Sequence, residues 1–287
     1  MFYKINSTKL QLFSDLIRLN KPIGVFLLVW PCWFGLAYIE NSELDLTKWY
    51  LYFIIGAFLM RSAGCIINDI VDINLDKSVK RTALRPLTAN KISLSEAVLL
   101  LVLLLLASFY ILVQFNIYSI FLGLVSVPLI ILYPFLKRYT YWPQLGLGLV
   151  FNWGVLIVSV EFNITISYDL LILYLGCVFW TLGYDTIYAY QDVEDDAKNN
   201  IKSTALLFGQ KGKQVVLFFY GIFFITIGLL GFYSSKSYLS LVVIFVIIVV
   251  IVYHLNKWKL NSVTSSNYYF KFNNIIGLVS FLYLLIF

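Results

Sequence analysis

Nine apolar stretches dominate the sequence and constrain its fold more than any other feature. Each is long enough for a helix to cross the hydrocarbon core of a bilayer, which takes about 17–25 residues. They are predicted near 23–40, 49–67, 97–115, 117–136, 143–161, 168–188, 214–233, 237–255 and 271–287. Because a membrane span must satisfy its backbone polar groups internally, this pattern predicts an all-α polytopic membrane protein.

The composition agrees with a membrane protein and argues against a soluble one. Hydrophobic residues make up 61% of the 287 residues and charged residues only 13%, whereas soluble domains carry about 25% charged residues. The net charge of +6 is spread over several short segments, which argues against nucleic acid as a partner and favours a membrane surface. The surroundings of Cys32, Cys65 and Cys177 are apolar and predict buried thiols.

The positive charges predict the orientation in the membrane. Eighteen of the 21 Lys and Arg residues lie in the N-terminal tail, in alternate connections, or at Lys271. The alternate connections are 68–96, 137–142, 189–213 and 256–270. We therefore expect a multi-pass protein of the inner (cytoplasmic) membrane with its N-terminus on the cytoplasmic side. The segment Leu10–Leu19 is predicted to form a short surface helix, and Pro22 marks the start of the first span.

Two acid-rich stretches end the second and the sixth apolar runs. In each, two aspartates lie four residues apart, Asp72 with Asp76 and Asp192 with Asp196. On a helix this spacing places both carboxylates on one face, about one turn apart. Like charges so placed repel each other unless a cation lies between them.

The two stretches look like copies of one unit. Asp192 follows Asp72, and Asp196 follows Asp76, by 120 residues, and each stretch leads into a basic segment, KRTAL at 80–84 and KSTAL at 202–206. The repetition predicts a single domain in which two units, near 61–91 and 184–210, face each other. One acidic cluster alone could be a solvated helix end, but two matched clusters at the ends of apolar runs favour a functional pair.

Basic residues beside these carboxylates favour a diphosphate site bridged by metal. They are Lys80, Arg81, Arg85, Lys198 and Lys202. Mg²⁺ is often held by one or two carboxylates together with substrate phosphates. A diphosphate at the membrane face, above an apolar bundle, implies a lipid-like tail within the bilayer. Loss of the diphosphate then leaves an allylic cation, which a closed apolar and aromatic lining protects from water.

Two further charges lie within the predicted spans. Arg61 precedes Asn68 by seven residues, and Asp185 precedes Asp192 by seven. Ionisable groups at such depth are costly and usually functional. The alternative, an Arg61 side chain that extends to the membrane surface, is less favoured because the polar segment 40–48 lies far along the helix.

Several segments resemble a known family. The stretch NDIVDINLDKSVKRTALRPL at 68–87 resembles the NDxxDxxxD signature of UbiA-type intramembrane aromatic prenyltransferases. The stretch YDTIYAYQDVEDDAKNNIKSTALLFG at 184–209 is similar to the second motif of that family. The segments LIRLNKPIGVFLLVWP, RSAGCIINDI and YPFLKRYTYWPQ are most similar to the 4-hydroxybenzoate polyprenyltransferases of ubiquinone biosynthesis. The resemblance covers residues 16 to about 210, and the last three apolar stretches match only in character.

The resemblance implies nine helices around a central cavity that opens sideways to lipid, with cytoplasmic loops over a diphosphate site. It implies Mg²⁺-dependent transfer of an all-trans polyprenyl group from polyprenyl diphosphate to the ring carbon beside the hydroxyl of 4-hydroxybenzoate. The residues implied for Mg²⁺ and diphosphate are Asn68, Asp72, Asp76, Asp192 and Asp196, with Asp69 and Asp195 as secondary candidates. The residues implied for the diphosphate are Arg81, Tyr133 and Lys137, and the basic cluster adds Lys202.

For the acceptor, the resemblance implies that Arg61 binds the benzoate carboxylate and that Asp185 helps to place the acceptor or its hydroxyl. An arginine suits bidentate recognition of a carboxylate. Two alternatives stay open at this point. The same chemistry could act on naphthoate, homogentisate, haem or chlorophyllide, or the repeated halves could belong to a cation or lipid transporter.

Overall fold

The computed structural model describes residues 8–39, 45–79, 81–163 and 165–287, and every regular element in these ranges is helical. The helices are α1 (Lys9–Leu16), α2 (Ile23–Ile39), α3 (Thr47–Val71), α4 (Ile73–Asp76), α5 (Leu94–Leu112), α6 (Ile117–Leu132), α7 (Leu136–Tyr139), α8 (Pro143–Phe151), α9 (Trp153–Asn163), α10 (Tyr168–Ala189), α11 (Val193–Lys198), α12 (Thr204–Phe208), α13 (Gly212–Ser235), α14 (Tyr238–Leu255) and α15 (Val263–Ile286). A 3₁₀ turn at Tyr133–Phe135 joins α6 to α7, and another at Gly209–Lys211 joins α12 to α13.

The helices confirm a multi-pass membrane architecture. Eight helical segments of the described chain are long and apolar enough to cross a membrane, and α2 is a shorter apolar helix of 17 residues at the position of the first predicted span. The outer helices expose large apolar side chains to the surroundings, such as Leu103 on α5, Phe121 on α6 and Phe245 on α14. Side chains of this kind on the outside of a bundle suit contact with lipid.

Helix α10 lies at the centre of the bundle and packs against α2, α8, α9, α13 and α15. Two glycines permit its close approach to α13. A Cβ at Gly176 would lie 2.7 Å from Thr226 Cγ2, and a Cβ at Gly183 would lie 2.5 Å from Tyr220 Cε2. Small residues at helix interfaces let membrane helices pack backbone to backbone, so these positions fix where α10 carries the second acidic motif.

A buried asparagine joins three helices within the apolar bundle. Asn273 of α15 is fully buried and accepts hydrogen bonds from Trp180 Nε1 of α10 at 2.8 Å and from the Tyr220 hydroxyl of α13. Its Nδ2 donates to the Tyr269 carbonyl at 2.9 Å. Polar contacts of this kind hold membrane helices together where no water competes for them.

Two predicted span boundaries need correction. The fifth span is divided at the buried Asn152, whose Nδ2 donates to the Gly148 carbonyl at 2.6 Å and to Thr181 Oγ1 at 2.9 Å. The ninth span begins at Val263, eight residues before the predicted 271. The Ser262 side chain caps this helix by accepting from the Ser265 amide, so the polar segment 263–270 is helical and the predicted connection 256–270 is shorter than expected.

The predicted surface helix is present as α1, with different bounds. A capping box at Thr8 and Gln11 starts it, and it gives way at Ile17 and Arg18, where Arg18 has a positive φ of 60°. The buried Leu12 and Leu16 pack in a cluster with residues of α3 and α5. Helix α1 is therefore attached to the bundle on one side and does not lie free on the surface.

Both acidic motifs adopt the same local backbone. Helix α3 ends before Asp72, which has φ −99° and ψ 7°, and α10 ends shortly before Asp192, which has φ −116° and ψ 6°. A short helix then begins, and the amide of the second aspartate donates to the carbonyl of the first at 2.8 Å in both copies. The predicted one-turn spacing is thus present, with the first aspartate of each pair at the N-cap of the short helix that contains the second.

Candidate functional site at one end of the bundle

A single large cavity contains both acidic motifs. Its volume is about 1160 Å³, and its walls come from α2, α3, α6, α8, α9, α10 and α15 and from the connections above them. The part within the bundle is lined by apolar residues such as Cys32, Phe53, Leu147 and Ile157. The cavity therefore has a charged end at the connections and an apolar interior.

Most of the predicted site residues line this cavity. They are Arg61, Asn68, Asp72, Asp76, Arg81, Tyr133, Lys137, Asp185, Asp192, Asp196 and Lys202.

Asp72 is the buried carboxylate at the break between α3 and α4. It is fully buried; Lys137 Nζ donates to its Oδ2, and Arg138 Nη2 lies 3.8 Å from its Oδ1. The Oδ1 atom has no hydrogen-bond partner in the structure. Burial raises the pKa of Asp72 in spite of the opposing charge of Lys137, and Asp76 adds to the increase. An unpartnered buried carboxylate oxygen is costly unless a further cation or donor binds it.

Asp76 and Asp69 share an arginine. Arg85 Nη1 donates to Asp76 Oδ2 at 2.6 Å and to Asp69 Oδ1 at 3.0 Å. Arg18 Nη2 donates to both oxygens of Asp69, at 2.6 and 2.8 Å. The first motif is therefore bound to the N-terminal segment as well as to its own downstream connection.

Asp192 of the second motif pairs with a residue that follows the first. Arg81 Nε donates to Asp192 Oδ1 at 2.8 Å, and Arg81 Nη2 donates to Oδ2. Arg81 Nη1 donates to the Tyr188 hydroxyl, and the guanidinium lies 4.9 Å from the centre of the Tyr188 ring. The Tyr188 ring in turn contacts Phe270 of α15 at 4.6 Å between ring centres. Arg81 thus joins the two motif units.

Asp196 forms no ion pair among the described residues. Burial, followed by the charge of Asp192, raises the pKa of Asp196 to about 7, and the Ser203 side chain opposes the shift in part. The nearby charge of Lys137 opposes this shift, which places one lysine close to aspartates of both motifs. A carboxylate without an ion-pair partner is well suited to bind a metal ion.

Lys202 lines the cavity, but its ammonium group contacts Tyr139 and Tyr141. Its Nζ donates to the Tyr139 carbonyl at 2.9 Å and lies 5.6 Å from the centre of the Tyr141 ring. Its backbone amide donates to the Lys137 carbonyl at 2.9 Å. The contacts of Lys202 therefore hold the connection at 202 against α7.

Arg61 and Asp185 lie deeper, on α3 and α10. The Arg61 guanidinium is 5.7 Å from the centre of the Phe151 ring, and its charge interacts with that of Asp185. Neither residue forms an ion pair within the described chain. Gly24 leaves room for the arginine, because a Cβ there would lie 2.4 Å from Arg61 Nε. The pair offers a cation and a carboxylate to a polar ligand that reaches the cavity interior.

Other predictions have different outcomes. Lys80 lies outside the described residues, and Lys198 is exposed on α11 and does not line the cavity. Asp195 also does not line the cavity. Asp69 forms ion pairs with Arg18 and Arg85. The sequence reasoning gave no role to Arg18 or Tyr188, although Arg18 stands in the RLNKPIG segment that carries part of the family resemblance.

The donor set fits a divalent metal held together with a phosphate ligand. No group of three or more His, Cys, Asp or Glu within the described ranges is arranged as a metal centre by itself. Asp72, Asp76 and Asp192 instead have basic partners. Mg²⁺ commonly takes only one or two carboxylates and fills its remaining positions with water and phosphate oxygens. The unpartnered Asp72 Oδ1 and the unpaired Asp196 are the oxygens best placed for this.

Comparisons with known proteins identify relatives in sequence and in fold. The model of the UbiA prenyltransferase family matches residues 28–275. A 4-hydroxybenzoate octaprenyltransferase of Serratia proteamaculans is 41% identical over 212 residues, which cover 74% of this chain and 73% of the relative. A protein of the same name from Francisella tularensis subsp. novicida is 39% identical over 281 residues, which cover 97% and 98% of the two chains.

A solved structure has the same arrangement of helices. It is a UbiA homologue from Archaeoglobus fulgidus bound to GPP and Mg²⁺, which aligns with a TM-score of 0.71 at 17% identity and covers 96% of this chain and 100% of that one. At this identity the likeness establishes the fold alone.

Proposed function

Since the chain belongs to the UbiA prenyltransferase family, we propose that it transfers an all-trans polyprenyl group from polyprenyl diphosphate to 4-hydroxybenzoate in ubiquinone biosynthesis. The new bond forms at the ring carbon beside the hydroxyl, and diphosphate is released. The observation that carries the proposal is the cavity itself. Two aspartate pairs with basic partners lie at one end, and an apolar interior with one arginine continues from them.

The charged end of the cavity is proposed to hold Mg²⁺ and the diphosphate. Residues that would hold the metal are Asn68, Asp72, Asp76, Asp192 and Asp196. When bound, Mg²⁺ neutralises part of the charge that develops on the departing diphosphate. The two motifs can share this task because Arg81 pairs with Asp192, and Lys137 contacts Asp72 through its Nζ and the Lys202 amide through its carbonyl.

Arg81, Lys137 and Tyr133 are proposed to contact the diphosphate directly. Arg81 presents a planar guanidinium that suits bidentate contact with phosphate oxygens. Tyr133 lies in the 3₁₀ turn after α6, Lys137 lies in α7, and both line the cavity. Lys202 supports this group by holding the connection against α7.

The apolar interior is proposed to take the polyprenyl chain. Cleavage of the bond between carbon and the diphosphate oxygen leaves an allylic cation, which water would trap in an open site. The apolar lining keeps water away from this cation, and aromatic side chains of the interior such as Phe53 can stabilise positive charge.

Arg61 and Asp185 are proposed to hold the acceptor. A carboxylate on 4-hydroxybenzoate would pair with the Arg61 guanidinium, which has no carboxylate bound to it within the described chain. Asp185 would then help to place the acceptor or its hydroxyl. Attack of the ring carbon on the allylic cation forms the new carbon–carbon bond, and loss of the ring proton restores aromaticity.

The charge distribution supports a location in the inner membrane with the charged end of the cavity on the cytoplasmic side. The connections that carry the aspartates belong to the side of the chain that, with the N-terminal tail, the other alternate connections and Lys271, carries eighteen of the 21 Lys and Arg residues, which follows the positive-inside rule.

The direct test is product identification with the purified chain in lipid nanodiscs. The protein is incubated with 4-hydroxybenzoate, a polyprenyl diphosphate and Mg²⁺, and the product is analysed by mass spectrometry. We expect a prenylated benzoate and one equivalent of released diphosphate, both lost when EDTA removes the metal. A folded protein that yields no product would contradict the proposal, and product from naphthoate, homogentisate or haem alone would reassign the acceptor.

A further inference from the structure

Asp69 is a fully buried carboxylate of the first motif, and its ion-pair partners among the residues that the structure describes are both arginines. We propose that Asp69 is a positioning residue that holds Arg85 when Asp76 binds a metal ion, and that it thereby sets the metal affinity of the first motif. The inference rests on the proposed function, since it assumes that Asp76 is a metal ligand.

The geometry shows a single arginine nitrogen shared between two carboxylates. Arg85 Nη1 lies 2.6 Å from Asp76 Oδ2 and 3.0 Å from Asp69 Oδ1. A guanidinium Nη atom carries two hydrogens, so it can donate to both oxygens at once. Within the described chain Arg85 has no other carboxylate partner.

Asp69 is itself fixed in place from the other side. Arg18 Nη2 donates to both of its oxygens. Arg18 Nη1 also donates to the Asp15 carbonyl at 2.8 Å, at the end of α1. With Arg18 on one side and Arg85 on the other, Asp69 is occupied by arginines, which makes it unsuited to be a metal ligand but well suited to retain Arg85.

The charges of Arg18, Arg85, Asp69 and Asp76 explain why Asp69 would set the affinity for the metal ion. Two arginines and two aspartates balance each other, and Arg85 would have to give up its bond to Asp76 Oδ2 if that carboxylate bound a divalent ion. With Asp69 present, Arg85 keeps one carboxylate partner. With asparagine at position 69, the metal would leave a largely buried Arg85 (19% side-chain exposure) without a carboxylate partner, and an unpaired buried charge is strongly unfavourable.

The experiment measures metal binding without catalysis. Mn²⁺ is titrated into the purified full chain in detergent, and free Mn²⁺ is followed by electron paramagnetic resonance. The chains compared are the parent, Asp69→Asn, Arg85→Gln and the double variant. We expect Asp69→Asn to weaken Mn²⁺ binding about tenfold, which corresponds to about 1.4 kcal/mol. In the Arg85→Gln background the same change should matter less than about twofold, because no arginine then needs a second partner.

A matched control removes one negative charge elsewhere. Glu194 is exposed on α11 and does not line the cavity, so Glu194→Gln should change Mn²⁺ affinity less than about twofold. Unchanged binding in Asp69→Asn would overturn the inference, and so would equal weakening with and without Arg85. A parent chain that binds no Mn²⁺ even with inorganic diphosphate present would instead reject the metal role in the proposed function.

A second variant keeps the inference testable if Asp69→Asn does not fold, as judged by its thermal unfolding. Arg18→Gln leaves Asp69 with Arg85 as its only ion-pair partner in the described chain. We expect Mn²⁺ binding at least as tight as in the parent. Weaker binding would mean that Asp69 serves only to attach α1, and the inference would be wrong.

Discussion

Arg81 and Asp192 are 111 residues apart in the chain, yet Arg81 Nε lies 2.8 Å from Asp192 Oδ1. The arginine follows the first acidic motif, and the aspartate opens the short helix of the second. This contact places both motif units at one end of the cavity. The proposed reaction depends on that proximity, because a single diphosphate must reach the metal ligands of both units.

Replacement of Arg81 by lysine should weaken binding of the prenyl donor. Lysine keeps the charge but cannot contact Asp192 and Tyr188 at the same time, nor make a bidentate contact with phosphate. We expect KM for polyprenyl diphosphate to rise about tenfold, with a smaller change in KM for 4-hydroxybenzoate. Initial rates at varied donor concentration give the value, and Lys198→Gln, at an exposed position on α11, is the control. Equal effects on both substrates would contradict a diphosphate contact.

Replacement of Arg61 by glutamine should weaken recognition of the acceptor, not of the prenyl donor. Loss of a charged hydrogen-bonding group costs about 1.5–3 kcal/mol, so kcat/KM for 4-hydroxybenzoate should fall roughly 10- to 150-fold. The neutral 4-hydroxybenzamide lacks the carboxylate, and its kcat/KM should change much less. A uniform loss for the acid and the amide would show that Arg61 does not recognise the carboxylate.

Gly24→Ala offers a way to move Arg61 without removing its charge. The added Cβ would lie 2.4 Å from Arg61 Nε, so the guanidinium must shift. We expect a selective rise in KM for 4-hydroxybenzoate, several-fold and smaller than for Arg61→Gln. Gly221→Ala is the matched control, because a Cβ at that position on α13 meets no atom within 4 Å. A Gly24→Ala protein with parental kinetics for the acceptor would contradict the assigned position of Arg61.

Asn273→Leu should destabilise the bundle. The change leaves the Trp180 and Tyr220 donors without their acceptor, and we expect the free energy of unfolding to fall by about 2 kcal/mol. Reversible unfolding in mixed detergent micelles measures this value. Asn261→Leu, at an exposed position, should stay within about 0.5 kcal/mol of the parent. Equal stability of Asn273→Leu would mean that these hydrogen bonds do not hold the three helices together.

The order and approximate positions of the apolar helices could be predicted from the sequence because span length follows bilayer thickness, although the described chain has eight segments long enough to cross a membrane and a shorter α2 where nine spans were expected. The break at Asn152 could not, since it depends on the contact with Thr181 on another helix. The early start of α15 at Val263 was also missed. Polar residues beyond the bilayer give no hydropathy signal, and the Ser262 cap shows only in the local geometry.

The candidate site was predictable in its types of residue but not in its pairings. The repeated aspartates indicated two units that meet, and the structure places both at one cavity. Which cation pairs with which acid depends on contacts between distant segments, as with Arg18 and Asp69, 51 residues apart. Tyr188 was overlooked because a tyrosine on an apolar helix is usually packing, and only its contact with Arg81 indicates more.

The central claim is that Asp72 and Asp192 belong to one catalytic unit, and the rate of prenyl transfer in single and double variants tests it most directly. Residues that act together lose function in a non-additive way. We predict that Asp72→Asn and Asp192→Asn each slow transfer at saturating Mg²⁺ by at least about a hundredfold, and that the double variant is no slower than the worse single one. Losses that multiply in the double variant, or a single variant with the parental rate, would contradict the account.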